Sequence, residues 1–517
     1  IPLTHLRAGI NLNPMPSQPS SSQNLPLRSH PLLYEVNTWT WLEQLSARLK
    51  KDITIAEVPD SEWDALATQG FHIVWLMGVW QRSSISRQLA LQNPATAAQF
   101  NLALPGWKPA DVISSPYAIT AYVPDQRIGN WAALDAAREK LRARGIALFL
   151  DFVGNHTALD HPWMREHPDF YVQAPLEEFQ KNPSLYYTQS THQGPQYIAR
   201  AKDPYFPPWQ DVAQLNHFSP ALRAAQLADL RTIAAHCDGI RCDMAMLQLN
   251  DIFDTNWRHL LGNTPQPENE FWTEAHAAFP NLILLAEAYW GTEQRLLDLG
   301  FSYSYDKILY DAVRDHNISQ IRERLVSFPE RQSDFARFME NHDEQRRAVV
   351  FPNDRLAADG TLLATLPGMR FYHQGELEGR RIHLPITLRI AADEPPDRVS
   401  TNFFQKILRI TKQDVFHEGN WNLLDVAPEG DAPTDSLLVY EWRSPKAWKI
   451  IAVNLAAYAS QGRVHLGDRV SPLQHYIFND ELNNVRYDRS GQELHEVGLF
   501  IRRDPFQAHL FDITPAR

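Results

Sequence analysis

Eight short apolar runs constrain this chain most: LLYEV (32–36), HIVWLM (72–77), IALFLDFV (146–153), GIRCD (239–243), LILLAEA (282–288), FSYSYD (301–306), FARFME (335–340) and MRFYHQ (369–374). Amphipathic stretches separate them, and strand–helix alternation of this kind builds a parallel sheet. Eight strands are the number at which such a sheet closes, so the expected fold class is α/β, a (β/α)₈ barrel. Two helix signals are specific. Trp131, Leu134 and Leu141 mark one face of a helix that stops at Gly145, and Ser219–Pro220 reads as an N-cap followed by proline at the first helical position.

Strand spacing then divides the chain. A barrel unit averages about 30 residues, yet the third and fourth runs begin 93 residues apart (146 to 239). The expected organisation is a Pro- and Ser-rich tail over 1–30, barrel over 31–156 with a loop-like insertion at 81–114, a small inserted domain over 157–210 and barrel again over 211–412. A C-terminal antiparallel β-sandwich follows over 413–517, where LLVYEW, WKIIAVNL, GRVHL and GLFIRR carry the strand pattern. An apolar share of 44% supplies ample core for such a chain.

The formal charge of −12 excludes a polyanionic partner such as nucleic acid, which needs clustered Lys and Arg. No run approaches the ~18 apolar residues of a membrane helix, and no basic start followed by an apolar core marks a signal, so no membrane partner and a cytoplasmic location are the defaults. Cys237 and Cys242, five residues apart on or beside one strand, read as free buried thiols.

Chemistry gathers in four stretches: DFVGNH (151–156), GIRCD (239–243), LLAEAYW (284–290) and ENHDEQ (340–345). Residues two apart on a strand share a face, so Arg241 and Asp243 point together. The guanidinium is expected to hold Asp243 ionised with a depressed pKa, as a nucleophile requires. Glu287 closes a nearly all-apolar run, where desolvation raises a carboxyl toward the range of a general acid. Two carboxyl groups in divergent environments suit a retaining glycosidase, with Asp243 as nucleophile and Glu287 as acid/base. Asp343, beside His342, and His156 are placed as groups that bind sugar hydroxyls. Alone, Arg241 with Asp243 would as readily be a structural ion pair. The ordered set of four, each closing a strand, argues otherwise.

The same stretches resemble the sequence regions of the α-amylase family, glycoside hydrolase family 13: DFVGNH is similar to its D-x-V-x-N-H region, GIRCD to its nucleophile region, AEA to its acid/base glutamate and ENHDEQ to its N-H-D region. The resemblance runs over roughly 31–510. It implies catalytic roles for Asp243, Glu287 and Asp343, substrate binding by Arg241, His156 and His342, and sugar stacking by Tyr117 in SPYAITAY (115–122). It requires no cofactor, although Asn155 stands where the family can hold calcium. Departures are MAMLQL (244–249) in place of an acceptor-side Lys-His pair, VAQLN (212–216), and Ser114 in place of an acid. The implied activity is hydrolysis of α-linked glucans or maltooligosaccharides through a covalent glycosyl-enzyme. The same triad in a transglycosylase or sugar isomerase is the alternative, and a non-catalytic binding homologue a remote one. Substrate would be an oligosaccharide or polysaccharide; oligomeric state stays open.

Overall fold

The computed structural model describes residues 25–191 and 194–516. Most of the tail expected over 1–30 therefore lies outside the described residues. All eight expected strands form: β1 (Leu32–Asn37), β2 (Ile73–Met77), β3 (Ala147–Val153), β4 (Gly239–Asp243), β5 (Ile283–Ala286), β6 (Tyr303–Tyr305), β7 (Phe335–Phe338) and β8 (Met369–His373). They close into one barrel with every neighbour parallel, β1 pairing with both β2 and β8. Continuous apolar runs are what such strands need, because helices cover one side and barrel interior the other; all five residues of β2 are buried. The register that matters sets Arg241 of β4 beside Asp151 of β3 and Leu285 of β5.

Helices follow their caps. Helix α1 (Trp131–Arg142) starts where the Asn130 side chain accepts from Ala133 N–H and buries Leu134, Ala137 and Leu141. Its chain turns back at Gly145, whose φ of +73° is glycine territory. Helix α2 (Pro220–Ala235) has the expected Ser219 cap on Leu222 N–H. Helices α3 (Lys307–Arg314) and α4 (Arg398–Thr411) complete the elements used below.

Between β3 and β4 the chain makes a three-stranded antiparallel sheet (Gln173–Ala174, Gly194–Ala199, Tyr186–Thr191) and a two-stranded one joining His156–Ala158 to Val212–Gln214. One expectation is corrected. The stretch 81–114 is not loop-like but carries helices Ser84–Gln92 and Pro94–Ala103. Its signals were local: Ser83 caps the first, and Asn93, followed by Pro94, caps the second.

After the barrel, a six-stranded antiparallel sheet faces a two-stranded one (Ser460–Val464 with Leu499–Arg503). Strand Leu437–Arg443 explains how both are held. Leu437 and Val439 enter the core between the sheets, while Leu438, Tyr440 and Trp442 belong to the barrel's core. Period-two alternation thus welds the C-terminal domain to the barrel through one strand.

At the N-terminal end of the barrel, the half-buried His30 and His72 and the buried His417 sit next to the buried Arg370. His72 Nδ1 accepts from Leu32 N–H, His30 Nδ1 from Gly368 N–H, and His417 lies edge-on to His72 with centroids 4.9 Å apart. Burial, reinforced by Arg370, pushes His30 down to about 3, His72 to about 4 and His417 to about 2. The unfolded chain binds these protons near the ordinary histidine pKa of about 6.5, so stability is complete above that pH and falls as pH drops toward 4. Melting temperature should decline over that window, and His417→Gln should flatten part of the slope; an identical slope in that variant would count against the histidines.

Candidate active site

The site is built around Arg241, which is fully buried in β4. Its Nη1 lies 2.8 Å from Asp243 Oδ1 and 3.5 Å from Asp151 Oδ1, and its Nη2 lies 2.7 Å from Glu287 Oε2. The rings of Trp75, Tyr117 and Tyr305 pack around the guanidinium at 5.0, 5.3 and 5.9 Å. One buried cation therefore grips both proposed reacting carboxyl groups, a geometry that needs aromatic walls to be tolerable away from water.

Burial pushes Asp243 up, to about 6, with Arg241 pulling against it. The expected depression below the ordinary carboxylate range is thus not what the site produces: desolvation outweighs the guanidinium. Glu287 is pushed further, to about 7, again by burial first. That agrees with the sequence expectation. Glu287 follows the last residue of β5 and is anchored at both oxygens, Oε2 accepting from Met244 N–H at 2.6 Å and Oε1 from the Tyr289 hydroxyl at 2.9 Å. Met244 holds this donor in place from a left-handed backbone (φ +43°), local strain of the sort found at ligand sites.

Asp343 reaches the site on the loop after β7. Asn341 Oδ1 accepts from the N–H of Asp343 and of Glu344, both at 2.9 Å, and this Asx turn aims the Asp343 side chain. His342 Nε2 lies 3.1 Å from Asp343 Oδ2 and 2.7 Å from the Tyr117 hydroxyl. Although its walls favour the neutral acid, the His342 charge and hydrogen bond, with Arg241, hold Asp343 down at about 2.

A pocket of about 740 Å³ opens over these groups, and Tyr117, His156, Asp243, Glu287 and Asp343 all line it. Tyr117 stacks on His342 with ring centroids 5.3 Å apart. His156 is kept neutral, its pKa lowered to about 4 by burial, and packs against Trp209. Trp290 lines the pocket, whereas Trp80 is buried against Asp151 O and Trp107 packs on Phe100. Sequence reading missed Glu35, Asp151, Tyr289 and Lys307. Glu35 and Asp151 were visible as single acids inside apolar strands, where charges are rare unless paired. Lys307 lines the pocket from the start of α3, held by Asp311 and Glu344 at 2.6 and 3.1 Å. It comes from a different element than the missing Lys-His pair, so no spacing could have pointed to it.

The surroundings of Asn155 do not fit calcium, which takes six to eight oxygens. Asn155 O and Oδ1 both accept from the Gln214 amide, at 3.1 and 3.0 Å, and His217 Nε2 approaches Oδ1 at 3.4 Å. The Gln214 amide is a donor. Gln214, within VAQLN, satisfies with its N–H groups the oxygens a cation would draw on.

The fold and site together define a (β/α)₈-barrel protein with three carboxylates at the C-terminal mouth, where barrels of this type assemble active sites. The model of the alpha-amylase catalytic domain matches residues 110–383. The chain belongs to the α-amylase family, glycoside hydrolase family 13. Alpha-amylase 3 of Dictyoglomus thermophilum is 27% identical over 265 residues, 46% of this chain and 48% of that protein. Alpha-amylase MalA of Haloarcula japonica is 26% identical over 263 residues, 49% and 35% of the respective chains. The match thus spans about half or less of these relatives' lengths. Among solved structures, a maltogenic alpha-amylase of Thermotoga neapolitana superposes with a TM-score of 0.64 at 17% identity, covering 93% of this chain and 98% of that one. An alpha-amylase of Geobacillus thermoleovorans complexed with acarbose gives 0.64 at 16%, covering 95% and 99%. These likenesses at low identity establish the fold.

Proposed function

We propose that the protein is a retaining α-glycoside hydrolase acting on α-linked glucans or maltooligosaccharides. The observation that carries this reading is the single Arg241 guanidinium between Asp243 and Glu287. Two carboxyl groups separated only by the fork of one guanidinium suit the ~5–5.5 Å spacing of a retaining pair better than the ~6.5–9.5 Å of an inverting pair, which must admit a water. Asp243, as a carboxylate, attacks the anomeric carbon; the bond to the leaving oxygen breaks as Glu287 gives that oxygen its proton. Glu287, now a carboxylate, takes a proton from water, which attacks the same carbon and releases Asp243. Asp343, held by His342 Nε2, binds sugar hydroxyls and favours the distorted, oxocarbenium-like ring. The family and the alpha-amylase names of its relatives support an α-glucan as substrate.

The test is maltoheptaose hydrolysis followed by proton NMR: the first-formed reducing ends should be α-anomers. Initial β-anomers would overturn the retaining assignment. A second reading, transfer to a sugar acceptor, draws on the exposed aromatics at the mouth. Phe206 (67% exposed) and Trp290 (39%) line the pocket, and Tyr205 meets Trp290 edge-on at 5.0 Å. Flat aromatic faces suit a second sugar as well as they suit the donor. Products longer than the input would favour transfer.

A further inference from the structure

Glu35 is buried completely within the barrel, and nothing about its place in β1 requires a charge there. An apolar residue of similar volume in such a position is often at least as stable. Its Oε1 lies 2.5 Å from His342 Nδ1, while Oε2 is buried with no hydrogen-bond partner. On the opposite edge of the imidazole, Nε2 faces Asp343 Oδ2 at 3.1 Å and the Tyr117 hydroxyl at 2.7 Å. Each ring nitrogen thus confronts a carboxylate, and ionised carboxylates only accept. Both nitrogens must carry hydrogen for both contacts to be bonds, which makes the ring a cation.

We propose that Glu35 is a positioning residue for the catalytic site: through the His342 ring it orients the Asp343 carboxylate and the Tyr117 hydroxyl toward the substrate. This rests on the role given to Asp343 above. The alignment is covalent at neither end; it is a chain of charges, minus on Glu35, plus on His342, minus on Asp343, running from the barrel interior to the pocket. Trp75 packs edge-on against the ring at 5.6 Å and Tyr117 stacks on it at 5.3 Å, so the imidazole has little freedom to rotate. Other titratable groups face it too: Asp151 from β3, and His383, whose Nε2 lies 3.1 Å from His342 O and whose pKa burial lowers. Burial opposes charge on His342, yet Asp343 and Glu35 raise its pKa well above the ordinary value. A nearby opposite charge is worth about 1–3 pH units to a titrating group. Without Glu35, the imidazole loses its interior partner and deprotonates within the working range, and its Nδ1 has no reason to stay turned inward.

The experiment compares wild type with Glu35→Gln and Glu35→Asp. The isosteric amide keeps the volume and removes the charge. In wild type, the His342 ring, followed by ¹⁵N NMR and assigned against His342→Gln, should remain doubly protonated well above pH 7. In Glu35→Gln it should titrate about 1–3 pH units lower. Turnover is read on an α-maltosyl fluoride, whose leaving group needs no proton, so that Glu287 does not mask the alkaline limb. The Glu35→Gln profile should fall with pH where wild type stays flat, about tenfold per pH unit beyond the new pKa. Glu35→Asp should restore most of that limb. An unchanged profile in a Glu35→Gln protein of wild-type melting temperature would mean a structural role only. If that variant does not fold, a wild-type His342 that titrates like an ordinary histidine overturns the proposal by itself. Failure of the glycosidase reading would show instead as no turnover of maltoheptaose or the fluoride by wild type, with the His342 titration unaffected.

Discussion

Asp243→Asn is expected to lower kcat on maltoheptaose by at least about 10⁴-fold, the scale seen when a nucleophile or its partner is removed from a covalent catalyst. The amide keeps a carbonyl oxygen for Arg241 Nη1, now 2.8 Å from Oδ1, so the pocket need not rearrange. Stability should move the other way or not at all. Burial raises the folded pKa of Asp243 to about 6, above the ordinary aspartate value, which means that holding this carboxylate ionised at neutral pH costs the folded state free energy. Removing the charge relieves that cost. The combined outcome, near-total loss of turnover with an equal or higher melting temperature, separates a reacting carboxylate from one half of a structural ion pair. If the variant unfolded readily and retained wild-type turnover when folded, the nucleophile would have to be sought elsewhere.

Glu287→Gln should divide the two half-reactions. On maltoheptaose the loss is expected at about 10²–10⁴-fold, the contribution of a positioned acid/base. On an α-maltosyl fluoride the first step survives, because fluoride departs without protonation. The second step slows for want of a base, so the glycosyl-enzyme on Asp243 should accumulate and appear in intact-protein mass spectra as an added sugar. In wild type, kcat/KM on maltoheptaose should fall as pH rises through about 7, where Glu287 loses the proton it must donate. Below about 6 it should fall as Asp243 gains one. Since the two carboxyls share Arg241, these limbs belong to the pair. Equal losses on both substrates, with no trapped intermediate, would remove Glu287 from the acid/base role.

How much was legible beforehand differs by kind of information. The eight runs anticipated every barrel strand, because a strand covered on both faces must be apolar along its length, and only a few residues at its end escape that requirement. Asp243, Glu287 and Asp343 were visible for the same reason: each stands at or just past the end of such a run, and each lines the pocket. The Ser219–Pro220 cap and the stop at Gly145 did the rest. The insertion at 81–114 was misjudged because its helices are short, and the second is weakly patterned; its caps were the better guide.

Sequence alone therefore determined the barrel, the order of the chemistry-bearing stretches and the identity of the three carboxylates, since these follow from local patterns of period two and from what a closed sheet exposes at its rim. Tertiary structure alone decided their electrical state. Whether Asp243 sits above or below an ordinary aspartate depends on the balance between burial and one guanidinium, and that balance is set by Trp75, Tyr117 and Tyr305, residues far apart in the chain. The Glu35–His342 contact, joining positions 307 residues apart, is of the same kind. Such pairings arise from barrel closure, which brings β1 against β8 and beneath the loop after β7, and no spacing along the sequence encodes the distance between them.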